Sequence, residues 1–547
     1  MRKRAIILLT ISLLSMYSVA QSDFEIAQAF MSKKGITLVN DDKTATRGDV
    51  KPYSIFNGKG DKGFAIVVNG NVIGYSTENS ADENHMPDGL RHILNSTYSS
   101  SFAYSYTKRD PIAPLVKTKW NQSAPYNLRC PVVGTQHCVT GCTATAIAQV
   151  LAYHKCPQEE TTEIPGYDTY SSLPPTKFKW DDMLDEYKYN KYNASQADAV
   201  AELMHYVGHA CGMKYGLNES IAAPLVRVCI DYFGYNKYSV TIETDCFLDK
   251  EIEDIIYSHL QRGLPIVVSG GDVLNRGHSY VIDGYDTDGY YHINWGWGGY
   301  LDGNFAISTL FDREHGLTDN TSDNIIEVNR LYIIIPNEKS MEKEDVSLIR
   351  MNATYGGSGV RIDYPESNVY RTSATVYRTS KSESFEKLYF SCLQYDFAET
   401  RKMDMTLGIY DGDKMIAIAD DIFTVDCEPN VVPKQNGEYI HNVRLSFGKG
   451  LDDGRYQLRW ISRINGTEQW FKAWSADRKY FDLTIEDNCA TLKSVTIDPL
   501  TDIKAALHYN VTRNGDIYNL QGQKVGNTLE GLPKGVYIKD GKKQVVK

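Results

Sequence analysis

Cys142 stands between a glycine and a run of small and apolar residues, Gly141-Cys142-Thr143-Ala144-Thr145-Ala146-Ile147-Ala148-Gln149-Val150-Leu151. Ala146, Ile147, Val150 and Leu151 recur at helical spacing, which predicts a buried helix with Cys142 in its first turn. A thiol there lies at the positive end of the helix dipole, beside unsatisfied backbone N–H groups. That setting favours the thiolate, a nucleophile. The same N–H groups could receive the oxyanion of a tetrahedral intermediate. Gly141 permits a tight turn and close approach by a substrate backbone. Gln136, six residues upstream, is close enough for its side-chain amide to add a second donor. The competing reading is a buried thiol on a core helix, a common fate of free cysteine.

A nucleophile of this kind needs a base. Gly277-His278-Ser279-Tyr280-Val281-Ile282-Asp283-Gly284 reads as a strand with His278 at its mouth, and Asn294-Trp295-Gly296-Trp297-Gly298-Gly299 follows. An imidazole base needs a group that fixes its tautomer and orientation. Asn294 can do so through its amide oxygen, and Trp295 and Trp297 can shield the pair from water. Asp283 falls on the opposite face of the strand from His278. His292 lies inside an apolar run and reads as a core histidine. His137 has no orienting partner in sequence reach. His154 sits at the far end of the helix, where a cation suits the dipole.

The elements that must position these groups belong to a 547-residue chain, long enough for three or four domains. Hydrophobic content of 42% and charged content of 23% fit folded protein. A net charge of −11 without a basic stripe argues against a nucleic-acid partner. Met1-Arg2-Lys3-Arg4, an apolar run to Leu14 and Ser18-Val19-Ala20 form an export signal over residues 1–20. No other segment approaches a membrane span. Export places the protein outside the cell or on its surface, where its ten cysteines could oxidise. None of them forms a Cys-x-x-Cys pair, and there is no His-Glu-x-x-His. No catalytic metal or other cofactor is therefore expected.

Residues 21–111 read as a small region of their own. Phe24 to Phe30 look helical, and Gly63 to Tyr75 form a hairpin around an Asn69-Gly70 turn. Met86-Pro87 leads into an amphipathic run at Leu90, Ile93 and Leu94, and Lys108-Arg109 closes a processing-prone linker. This region is expected to cover the active site as an intramolecular inhibitor; a plain N-terminal domain is the alternative. Residues 112–338 put helices at about 200–211, 222–233 and 249–262 before antiparallel strands, an α+β layout. Alternating strands from 339 to 490 predict a β-sandwich. Residues 491–547 hold two hairpins, with turns at Gln521-Gly522 and Asp540-Gly541.

Gln136 to His154, Gly277 to Gly284 and Asn294 to Gly299 together resemble the streptopain family of papain-like cysteine peptidases, which includes interpain-type secreted bacterial enzymes. The resemblance covers about residues 21–338. It implies a papain-like fold, a zymogen with an inhibitory pro-domain, and protein or peptide substrates. Cys142 would be the nucleophile of a thiol endopeptidase, His278 the base, and Asn294 or Trp295 the third member. Gly277 and Ser220 would line the substrate cleft, with Trp297 beside them. Cys138 and Cys156 are departures that bear on redox behaviour. The last hairpins are similar to C-terminal sorting modules of secreted Bacteroidetes proteins. The rival readings are an exported binding protein with an inactive papain-like domain, and a transglutaminase-like acyl transferase.

Overall fold

The computed structural model describes residues 22–40, 53–81 except 61, 86, 94, 108–222, 226–244, 249–271, 277–306 and 330–337, then 362–363, 370–391, 401–428, 434–496 except 441, 475 and 478, and short strands beyond 516. Two compact units divide the chain, one built from residues up to 340 and the other from 341 onward, the latter taking in 246–248 as well.

In the first unit, among the described residues, nine strands form one antiparallel sheet. They are β1 (Ser54–Asn57), β2 (Phe64–Val68), β3 (Asn71–Ser76), β6 (Val240–Glu243), β7 (Ile266–Gly271), β8 (Gly277–Tyr285), β9 (Tyr291–Asn294), β10 (Gly303–Phe305) and β11 (Arg330–Ile333), in the order β1-β2-β3-β10-β9-β8-β7-β11-β6. A separate two-stranded hairpin pairs β4 (Val132–Val133) with β5 (Gln136–His137).

The N-terminal hairpin, read from sequence as part of a small region of its own, is one edge of this common sheet. The Asn69-Gly70 turn has positive φ at both residues, 48° and 74°, as a type I′ turn requires. Strand β3 then pairs with β10, Tyr75 opposite Asn304 and Gly74 opposite Phe305. Helix α1 (Asp23–Ser32) starts with a Ser22/Glu25 capping box. Its Ala27 and Met31 share a buried cluster with Ala65, Val67, Val72 and Tyr75, and also with Tyr290 and Ala306 from the far side of the junction. Polar contacts join the two parts as well. Tyr290 Oη donates to Val72 O at 2.7 Å, and Asn79 Nδ2 to Asp302 O at 2.8 Å. Tyr75 Oη donates to Asp286, while Lys34 Nζ lies 4.3 Å over the Tyr75 ring and 2.7 Å from Asp288. The amphipathic run at 90–94 lies outside the described residues apart from the buried Leu94.

The central helix is α2 (Cys142–His154), buried along most of its length and packed on β7, on β8 and on α3 (Ala194–Ala210). Its apolar and small residues from Thr143 to Leu151 carry no charge to keep wet, so that stretch sits in the core on all sides. α3 begins with an Asn193/Gln196 capping box, and α4 (Val226–Tyr232) and α5 (Asp249–Gln261) complete the helices named here.

The second unit is β-rich. A four-stranded sheet and a larger sheet meet through Phe390, whose ring lies 5.1 Å from Phe481 and 6.5 Å from Trp460. The strand Cys489–Thr496 pairs along its whole length with Lys479–Glu486. The larger sheet thus continues to Thr496. The joining turn, Asp487-Asn488, takes positive φ without a glycine, 49° and 64°, so the turn carries no glycine signal. Four short strands between 517 and 546 form a further small sheet.

Candidate active site

Gly141 makes the entry to α2 possible. Its φ is 86°, and a Cβ there would stand 2.8 Å from Ser220 O and 2.9 Å from Met213 Cε, so only glycine fits. Thr145 Oγ1 donates back to Gly141 O at 3.0 Å and fixes the turn. Cys142 is then the first helical residue, half-buried, at the N-terminal end of the dipole.

His278 enters from β8, where Gly270 of β7 is its strand partner. It is buried and hydrogen-bonded to the Cys142 thiol. Burial pushes that thiol up, but the His278 hydrogen bond and charge pull it down, with help from the Ser279 backbone and side chain. The net result is a pKa lowered to about 7. Ser279 Oγ also lies 3.1 Å from Thr143 Oγ1, which donates to Ala222 O at 2.8 Å. Ser279 is a residue of this arrangement that the sequence reading missed. Its only signal was its place directly after the candidate base.

The far ring nitrogen, His278 Nε2, stands 2.9 Å from the main-chain carbonyl of Trp295 and 3.1 Å from the Trp297 indole Nε1. Nδ1 is therefore the nitrogen left for the thiol. The Trp295 ring, fully buried, lies 6.0 Å from the imidazole at an interplanar angle of 27°. The half-buried Trp297 ring is 5.8 Å away.

Asn294, expected to orient His278 through its amide, spends that amide elsewhere. Its Oδ1 accepts from Gln149 Nε2 and from Gly296 N, both at 3.0 Å, and its Nδ2 donates to Thr118 O at 2.7 Å. Gln149 Oε1 in turn accepts from Thr118 Oγ1 at 2.9 Å. Asn294 thus locks the loop after β9 onto α2, and the carbonyl one residue later faces the base.

Gln136 lies exposed on the β4–β5 hairpin opposite Val133. Ser220 is buried, and its Oγ donates to Val139 O at 2.7 Å and accepts from Gly216 N at 3.1 Å. Its hydroxyl braces the nucleophile loop, while its carbonyl is what abuts Gly141. Gly277 is exposed beside His278. The rival histidines are engaged elsewhere: His137 Nδ1 with Cys130 O at 3.0 Å, His154 Nδ1 with Tyr235 Oη at 3.0 Å, and His292 Nδ1 with Asp283 Oδ1 at 2.6 Å. Cys130, Cys138, Cys142, Cys211, Cys229 and Cys489 are free thiols.

Residues 120–305, which contain Cys142, His278, Ser279, Asn294, Trp295 and Trp297, match the Peptidase C10 family. Streptopain of Streptococcus pyogenes is 29% identical over 313 residues, 49% of this chain and 77% of streptopain. The thiol protease/hemagglutinin PrtT of Porphyromonas gingivalis is 28% identical over 47% of this chain and 34% of its own length. Among solved structures, a prointerpain A fragment of Prevotella intermedia is 26% identical, with 52% of this chain and 95% of that one covered and a TM-score of 0.44. The active interpain A cysteine protease is 30% identical over 41% and 97%, with a TM-score of 0.34. With a Peptidase C10 match spanning Cys142, His278 and Trp295, the chain is a streptopain-like cysteine peptidase.

Proposed function

We propose that this chain is an exported cysteine endopeptidase made as a zymogen, with Cys142 and His278 as its catalytic pair. The observation that carries the reading is the lowered Cys142 thiol hydrogen-bonded to His278, with the Trp295 carbonyl behind the ring. The Cys142 thiolate attacks the scissile carbonyl carbon, and the π electrons move onto oxygen. The Cys142 N–H and the Gln136 amide receive that oxyanion. His278 gives its proton to the leaving amine as the C–N bond breaks, leaving a thioester. It then takes a proton from water, which attacks the thioester; the C–S bond breaks, the acid leaves, and the Cys142 thiolate is restored beside protonated His278. The Trp295 carbonyl keeps the imidazole aimed, and Gly277 and Trp297 border the substrate.

Residues 21–111 serve as the pro-segment in this reading, and the β3–β10 pairing supports it. The relatives' names, streptopain and thiol protease, support protein substrates. The test is digestion of an unfolded protein by purified enzyme, Cys142→Ala and Cys142→Ser, with and without an added amine. Internal cleavage by the wild type alone supports the reading. Amide products formed in preference to acids would make the chain an acyl transferase, and turnover by Cys142→Ala would remove the nucleophile.

A further inference from the structure

We propose that Asp302 is a positioning residue for the base: its carboxylate fixes the Trp295 backbone whose carbonyl aims His278. The inference rests on the reading of Cys142 and His278 as the catalytic pair.

Trp295 contributes to two peptide planes. Its N–H, in the plane shared with Asn294, donates to Asp302 Oδ1 at 2.9 Å. Its carbonyl, in the plane shared with Gly296, faces His278, and the Gly296 N–H of that plane donates to Asn294 Oδ1. The two backbone dihedrals of Trp295 lie between these planes, so a side-chain acceptor on each side sets the direction of the carbonyl. Removing either acceptor frees one plane to rotate.

Asp302 is an unusual choice for a structural acceptor. It is 5% exposed, and burying a carboxylate is costly without compensation. Its carboxyl is pushed up to about 7 on balance: burial raises it most, the Trp295 N–H and the charge of His292 lower it, Asp283 raises it and Lys119 lowers it. Above that value the ionised carboxylate makes a stronger bond to the N–H than a neutral acceptor would. That strength is useful where a sub-ångström tilt of a carbonyl changes the alignment of a base. Asp302 also touches the N-terminal hairpin, since its own carbonyl accepts from Asn79 Nδ2.

The experiment measures the rate of iodoacetamide alkylation at Cys142, read by peptide mapping, against pH in the full-length chain, alongside kcat/KM. The wild type should show a midpoint near 7. Asp302→Ala should move that midpoint up by about one unit and lower kcat/KM about 10–100-fold, the range typical when a partner that orients a functional ligand is lost. Asp302→Asn, which keeps an acceptor oxygen in place, should recover most of both. If Asp302→Ala fails to fold, Asp302→Ser replaces it, because its hydroxyl stops short of the Trp295 N–H. A folded Ala or Ser variant with the wild-type midpoint and kcat/KM would overturn the proposal, as would an Asn variant as damaged as Ala. A wild-type midpoint at ordinary thiol values would overturn the Cys142–His278 pair itself, and this inference with it.

Discussion

His278 Nε2 lies 2.9 Å from the Trp295 carbonyl oxygen and 3.1 Å from the Trp297 indole nitrogen, and a single ring nitrogen can satisfy only one of them at a time. With a proton on Nε2 the ring donates to Trp295. Without it, Nε2 accepts from the Trp297 N–H. The charged ring therefore engages Trp295, and the Trp297 contact belongs to the neutral ring protonated on Nδ1. Trp297→Phe should keep the aromatic cover and remove the competing donor, so kcat/KM should stay within about threefold. Trp297→Ala should lower it about tenfold by admitting water, which weakens electrostatic contacts in the site. Equal losses in both variants would show that the indole N–H, and not its bulk, matters.

The pH dependence follows from the thiol. Cys142 is lowered to about 7 by His278 and Ser279 against the effect of burial. Below that pH the thiol is protonated, and kcat/KM should fall about tenfold per unit. Ser279→Ala removes a hydrogen bond to the thiolate and should move the acid limb upward. An acid limb that stays put in Ser279→Ala would show that His278 alone sets the thiol.

Gln136→Ala should lower kcat about 10²–10³-fold with little change in KM, if its amide receives the oxyanion, a loss of roughly 3–4 kcal/mol. The exposed position of Gln136 on its hairpin makes this a sharp test. A rise in KM with kcat intact would make it a substrate-binding residue.

The N-terminal hairpin makes a further prediction. The uncut chain should be latent, and cleavage between about Ser96 and Lys119 should release activity. Because β3 pairs with β10 and Lys34 and Tyr75 engage Asp286, the cut segment should stay bound and inhibit until it dissociates. Lys34→Ala with Tyr75→Phe should weaken that retention about 10–100-fold, the scale of one or two hydrogen bonds to a charged group. Size-exclusion analysis after cleavage reads it directly. Full activity from the uncut wild type would make residues 21–111 an accessory region.

Local chemistry was legible in the sequence wherever one residue dictated its own setting. Gly141 before Cys142, the Asn69-Gly70 turn and the apolar spacing of α2 each led to an element found in the fold. Long-range pairing left no such trace. Nothing near Tyr75 announces that its strand partner is Asn304, 229 positions on, so the hairpin read as part of a separate region. The role of the backbone was also hidden. A carbonyl has no residue type, so Trp295 was named for its ring and Asn294 for its amide, whereas the described contact to His278 comes from the Trp295 main chain. Asp302 was overlooked because its partner is likewise a backbone N–H.

The most direct measurement is active-site titration of the processed enzyme with an epoxide probe, followed by peptide mapping across its ten cysteines. The account predicts one equivalent bound per chain, on Cys142 alone, with activity lost in proportion. Activity that survives full modification of Cys142, or inactivation that tracks modification of another thiol, would contradict it.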